Sequence, residues 1–287
     1  MRELTYTNSD GLSAVISNVA PFVLTKLSGF ESAKNNVYTV KSVLQDGQTA
    51  TGSSLDMSER TITGLMRADT LDGLEERRRC LSRVFSAKAD GTLKYECNGL
   101  TKTCACKVET LTFGDIGIRS QAFDIVLLCP NPFWQDTEES IQEIAEWIGA
   151  FEFALEIPQG TGIEMGYRSP SLIVDVNNPG DVPCGMKIVF SALGTITNPS
   201  LLNVNTQEFI KVKKTMTAGE TITITTEFGN KKILDLLNGV TSRVLNIDLD
   251  STFLQLAVGD NLFRYNADSG LDMLECKIYY VPQYLGV

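Results

Sequence analysis

Histidine is missing from all 287 residues, and with it go the commonest general base, the usual partner of a nucleophilic serine or cysteine, and the commonest zinc ligand. Triad chemistry is thereby excluded. Carboxylates are the remaining acid–base candidates, but Asp and Glu fall mostly in turns and helix starts, where capping and solvation account for them. No pair stands out, so the expectation is a protein that is not an enzyme, with no catalytic residue, no cofactor and no metal ligand. Apolar runs stay far below the roughly 18 residues that a membrane span needs. Cations are also in deficit: 25 Lys and Arg against 35 Asp and Glu leave a net charge of -10, which disfavours general binding to nucleic-acid backbones or anionic membranes.

Seven cysteines are an odd number without a repeating framework. The first residues, MRELTYTNSDGL, lack the basic-then-apolar pattern of a signal peptide, so a reducing cytoplasm and free thiols are expected. The C-x-C in "TCAC" has neither a second pair nor a histidine. Alternation in a strand places Cys104 and Cys106 on one face, as small hydrophobes.

What is present suits a folded chain: 43% hydrophobic and 21% charged residues, with no low-complexity tract. The length favours two cores over one. Residues 1 to 60 read as short strands broken by "SDG", "LSGFES" and "QDGQT". In "ADTLDGLEERRRCLSRVFSA", Asp69 or Thr70 can cap, acids sit early, and Leu71, Leu74, Leu81, Val84 and Phe85 recur at helical spacing. This is an amphipathic helix. Arg77, Arg78, Arg79 and Arg83 lie late in it, where cations complement the helix dipole, as a solvated face or as a subunit contact. Asn98-Gly99 then separates two alternating arms and signals a two-residue hairpin, and "QAFDIVLLCP" supplies a last, central strand stopped by Pro130.

The corner "PNPFW" follows. Pro130 and Pro132 fix the backbone, while Phe133 and Trp134 bring large apolar surface that either fills a domain edge or anchors a seam between domains or subunits. "DTEESIQEIAEWIGAF" reads as a connecting helix over 137–149, with Asp136 and Glu139 as a capping box. From residue 150 onward, evenly spaced turns ("PQGTG", "NNPGDVPCG", "TNPS", "TAGE", "FGN", "LNG", "VGDN") argue for an antiparallel sandwich, with Gly229-Asn230 fitting a tight hairpin. The domains expected are therefore 1–136, the helix 137–149 and 150–287. Residues from about 276, where Ile278 and Tyr280 alternate before Pro282, can run back to the first domain.

In order as well as content, these pieces resemble the distal tail protein family of long-tailed phages. They are "RTITG" before the helix, the Asn-Gly hairpin, "FDIVLLCPNPFW", "NPGDVPCGMKIVFSALGTITNPSLLN", "MTAGETITIT" and "STFLQLAVGDNLFRYNA". The resemblance implies a mainly β fold with a few helices: a β-barrel-like first domain that forms a hexameric ring, and a galectin-like antiparallel β-sandwich. It also implies a virion structural role joining the tail tube protein to a tip or baseplate hub protein. The chain would be made in the host cytoplasm and placed in the tail, with DNA passing through the ring but no sequence-specific nucleic-acid contact and no membrane. The alternative is an adhesion protein holding host glycans, for which Tyr167, Phe228, Phe253, Phe263 and Tyr265 are the aromatics available in the second half.

Overall fold

The computed structural model describes residues 2–144, 147–149, 166–168, 173–243 and 246–287. They divide into two compact units, Met1–Thr137 with Gln283–Val287, and Glu138–Pro282.

The first unit contains β1 (Arg2–Asn8), β2 (Ser13–Ser17), β3 (Phe22–Ser28), β4 (Asn35–Val40), β5 (Thr49–Leu55), β6 (Ser58–Arg67), α1 (Leu71–Val84), β7 (Asp90–Cys97), β8 (Leu100–Ile116), β9 (Ser120–Cys129), β10 (Trp134–Gln135) and a C-terminal strand, Gln283–Tyr284. Seven strands close a barrel in the order β8-β7-β1-β2-β3-β6-β9, because β9 pairs back onto β8. Among the described strands, β4 and β5 pair only with each other.

Alternation explains the interior: Leu4 and Tyr6, Ile62 and Met66, Leu93 and Tyr95, Phe123, Ile125 and Leu127 all point in and are buried. Two aromatics need glycine beneath them. A Cβ on Gly64 would lie 2.3 Å from the Phe123 ring, and one on Gly91 would lie 2.2 Å from the Tyr6 hydroxyl. The Asn98-Gly99 turn forms as expected: Cys97 pairs with Leu100, and both turn residues take positive φ, 51° and 85°.

Helix α1 begins where the Thr70 hydroxyl accepts from the Gly73 N–H at 3.2 Å. It buries Leu74, Leu81 and Val84 in the barrel core, and Phe85, at its end, stacks on Tyr6 with ring centroids 4.4 Å apart. Leu71 stays exposed.

The second unit is a two-sheet sandwich. A six-stranded antiparallel sheet runs in the order 140–143, 274–280, 186–192, 221–225, 232–237, 240–243, and a four-stranded one in the order 173–178, 259–266, 200–203, 209–211. Ile188, Phe190, Ile222, Ile224, Cys276 and Ile278 of the first sheet share a core with Val176, Leu201, Ile210, Phe263 and Tyr265 of the second.

Two local expectations fail here. The helix over 137–149 is replaced, in its described part, by strands Ser140–Glu143 and Trp147–Gly149. The first adds to the free edge of the strand 274–280, and the Ile144 N–H donates to the Cys276 carbonyl at 3.0 Å while its side chain enters the core. Lys277 and Lys187 hold Glu143 and Glu139 at 2.6 and 2.8 Å. An isolated helix of this length is marginal in water, whereas an open sheet edge offers backbone bonds together with packing. Gly229-Asn230 is not a two-residue hairpin either: Thr225 pairs with Lys232, leaving six residues between the arms. The tight turn falls instead at Asn238-Gly239, where both φ are positive, as that turn type requires.

Candidate functional site

Three features of the first unit stand out. On α1, Arg78, Arg79 and Arg83 are exposed and Arg77 is half-buried. Arg79 makes a loose i,i+4 pair with Glu75 at 3.9 Å, and Arg78 lies 5.0 Å over the Phe113 ring. Among the described residues, Arg77, Arg78 and Arg83 have no carboxylate partner within 4 Å, so this face presents open positive charge on an acidic chain.

The hairpin β4–β5 is the second feature. Its Val37, Tyr38 and Val40 are more than half exposed, and at its tip Val43 and Leu44 are 93% and 100% exposed. Several exposed apolar side chains on one hairpin make it a candidate for an interaction surface.

The third is the barrel interior beneath the Pro corner. Trp134 is fully buried within its own unit, and Phe133 is half-buried. The Trp134 ring lies 5.5 Å from Phe30 and 6.0 Å from Tyr95, and its Nε1 donates to the Phe30 carbonyl at 3.3 Å. The guanidinium of Arg60, an inward position of β6, covers that ring at 3.7 Å. Arg60 is fully buried, donates through Nη2 to the Pro132 carbonyl at 3.1 Å, and sets Nη1 against Cys104 Sγ. Among the described residues its Nε finds no hydrogen-bond partner. Beside it the sulfurs of Cys104, Cys106 and Cys129 all lie within 4.8 Å of one another. Hydrogen bonds from Cys104 and Cys106, with help from Arg60, pull the Cys129 thiol down to about 4, while Cys104 is pushed up, first by its bond with Cys106.

Alternation did put Cys104 and Cys106 on one face. Cys129 was missed because it arrives from β9, and only strand pairing brings it there. The inward turn of Arg60 had a readable signal, since it is in phase with Ile62 and Met66.

The C-terminal strand completes the unit. Tyr284 pairs with Trp134 across the ladder, its hydroxyl donates to Asp136 at 3.1 Å, and Lys102 sits 2.5 Å from Asp136 and 3.3 Å over the Tyr284 ring. In the second unit, Lys214 bridges the buried carboxylates of Glu220 and Asp235. Burial alone would lower Lys214, but the two carboxylates hold it above its usual range. Of the aromatics considered for sugar, Phe263 and Tyr265 are buried, Phe253 is half-buried beside Lys231, and Phe228 is 81% exposed; the Tyr167 side chain lies outside the described residues. No described helix is long and apolar enough to cross a membrane.

The described chain is thus a seven-stranded barrel unit joined in sequence to a two-sheet antiparallel sandwich unit. Residues 9–129 match the model of the phage tail protein RIFT-related domain, and residues 179–284 that of the siphovirus-type tail component, C-terminal domain. The chain thus carries, one after the other, the two domains that these models describe in siphovirus-type phage tail components. Its fold is similar to that of the Dit protein of phage SPP1, whose structure is presented as a paradigm of the hub adsorption apparatus in phages that infect Gram-positive hosts. The two share 15% identity and a TM-score of 0.70 over 98% of this chain and 99% of that one. Chains of the phage P2 baseplate in its activated conformation are also similar: with Ca, 11% identity, TM-score 0.54, and 98% of each chain covered; with Sr, 12%, 0.53, and 97% and 98%. A search of curated proteins found no match.

Proposed function

We propose that six copies of this chain close into a ring that joins the tail tube to the tip or baseplate hub, with the barrel units forming the ring. The observation that carries this reading is the β4–β5 hairpin, whose apolar tip is left in water by every described residue of its own unit. A ring needs two different, complementary patches on each subunit. The hairpin is one patch, to be met by an apolar surface of a neighbouring subunit, and the arginine face of α1, on a chain of net charge -10, is another, to be met by an acidic one. On this reading Arg77, Arg78, Arg79 and Arg83 are interface residues, Phe133 borders the corner, and Trp134 supports it from inside. The ring would be assembled from chains made in the host cytoplasm, and the path through it would pass DNA without reading its sequence.

Native mass spectrometry and negative-stain microscopy of the purified chain test the ring directly. Six-fold particles are expected, and Leu44→Ser with Val43→Ser should shift the population to smaller species without loss of circular dichroism. Monomeric copies within assembled tails would end the proposal. A second reading, a glycan-binding site on the second unit, has one observation in its favour: the exposed Phe228 ring, with Lys231 at 4.9 Å. Glycan arrays with Phe228→Ala as control decide it.

A further inference from the structure

We infer that Cys104, Cys106 and Cys129 form a buried three-thiolate site for a thiophilic divalent cation of the zinc class, with Arg60 as its charge partner. Cys104 and Cys106 come from β8 and Cys129 from the end of β9, so the site exists only once the barrel has closed.

Three observations carry it. The first is distance: the sulfurs of Cys104 and Cys129 are 3.8 Å apart, and all three lie within 4.8 Å of one another. Zn–S bonds of about 2.3 Å place tetrahedral sulfurs about 3.8 Å apart, so small side-chain rotations bring all three into range.

The second is charge. Arg60 is fully buried and has no carboxylate within ion-pair distance among the described residues, although a buried cation normally requires a counter-charge. Three thiolates, a divalent cation and one guanidinium sum to zero. In the loading step each sulfur still protonated gives its proton to the buffer and forms a bond to the metal; no redox change is involved.

The third is the guanidinium's placement. Nη1 is set against Cys104 Sγ, where it can hold that sulfur in place as a ligand, and among the described residues Nε has no hydrogen-bond partner. Small hydrophobes filling a core would not need a buried cation aimed at them. The strand-face reading of Cys104 and Cys106 is therefore incomplete.

The test uses the full chain, kept reduced with a phosphine, refolded with one equivalent of Zn(II), desalted and analysed for metal. About one zinc per chain is expected, together with a higher melting temperature and, on replacement by Cd(II), an ultraviolet thiolate-to-metal charge-transfer band. Cys129→Ser and Cys104→Ser should each abolish the band. Cys80→Ser, at an exposed position, should leave it unchanged, and Arg60→Met should weaken binding roughly 10- to 100-fold. Folded, reduced wild-type chain that retains no metal would overturn the inference whether or not the variants fold; so would a band that survives Cys129→Ser.

Discussion

Replacing Tyr284 by alanine should cost the first unit about 4 kcal/mol while leaving the second unit's transition in place. Three contributions add up. The half-buried ring loses on the order of 100 Å² of contact, about 2.5 kcal/mol at 25 cal/mol per Å². Its face no longer meets the Lys102 ammonium, which is 8% exposed and 3.3 Å from the ring centroid; at such a site that contact is worth about 1 kcal/mol. The hydrogen bond to Asp136 also goes, at a cost of roughly 0.5 to 1 kcal/mol, because water can reach a carboxylate that is 30% exposed. Lys102 keeps Asp136, so no buried charge is stranded, and the larger penalty of a broken ion pair does not apply. Tyr284→Phe isolates the last contribution and should cost about 1 kcal/mol or less. The chain has two tryptophans; in a Trp147→Phe background, fluorescence during denaturant unfolding reports Trp134 alone, which pairs directly with Tyr284. A loss below about 1 kcal/mol for Tyr284→Ala, or a shift confined to the second unit, would refute the assignment of Gln283–Val287 to the barrel unit. A companion experiment expresses residues 1–137 alone and with 283–287 rejoined by a flexible linker, and only the second is expected to resist aggregation.

Gly64→Ala should destabilise the barrel by more than about 3 kcal/mol, since its methyl would enter the Phe123 ring; calorimetry checks it, and Phe123→Leu in the same chain should recover part of the loss. Lys214→Met strands Glu220 and Asp235 and should cost about 3 to 5 kcal/mol in the second unit by chemical denaturation. Glu220 is held below the usual carboxylate range, with burial opposing and Lys214 and the Thr217 N–H prevailing. Its stabilisation is therefore present above the unfolded value near 4.5 and lost as pH falls through the lower folded one; Glu220→Gln should flatten that acid limb. Burial pushes Tyr6 up to about 12 from 10. Because the unfolded chain ionises first, stability should fall between pH 10 and pH 12, and Tyr6→Phe, which also removes a buried hydroxyl that has no partner among the described residues, should abolish this Tyr6 contribution at no cost near neutrality.

What was legible in the sequence was whatever local physics decides. Thr70 caps the helix because a hydroxyl there meets a free N–H, and Asn98-Gly99 turns tightly because both residues tolerate positive φ. Where two local solutions competed, tertiary contacts chose. The segment 137–149 carries a helical pattern with a capping box at Asp136 and Glu139, yet its Ser140–Glu143 pairs with the strand 274–280, more than 130 residues away in sequence, and no local rule reports that open edge. Asn238-Gly239 and Gly229-Asn230 contain the same two residue types in opposite order. Only the first suits a two-residue turn, since there Asn takes φ 50° and Gly 80°, and order was the discriminating signal.

The Pro corner shows how the two kinds of information combine. Pro130 and Pro132 end the β9 ladder by local rule alone, but why the chain then turns inward depends on Arg60, seventy residues earlier. A guanidinium brought into the barrel by strand alternation needs acceptors and an aromatic face, and the corner supplies both: the Pro132 carbonyl at 3.1 Å and the Trp134 ring at 3.7 Å. Without the corner, Arg60 would be a buried charge lacking two of its contacts. Without Arg60, the Pro132 carbonyl would lose its donor and the Trp134 ring its cation. The two should therefore be coupled. In a double-mutant cycle of Arg60→Met and Trp134→Phe, the summed single losses should exceed the double loss by about 1 to 2 kcal/mol. Additivity within about 0.3 kcal/mol would mean that the contact is geometric proximity alone and that another partner stabilises the buried guanidinium.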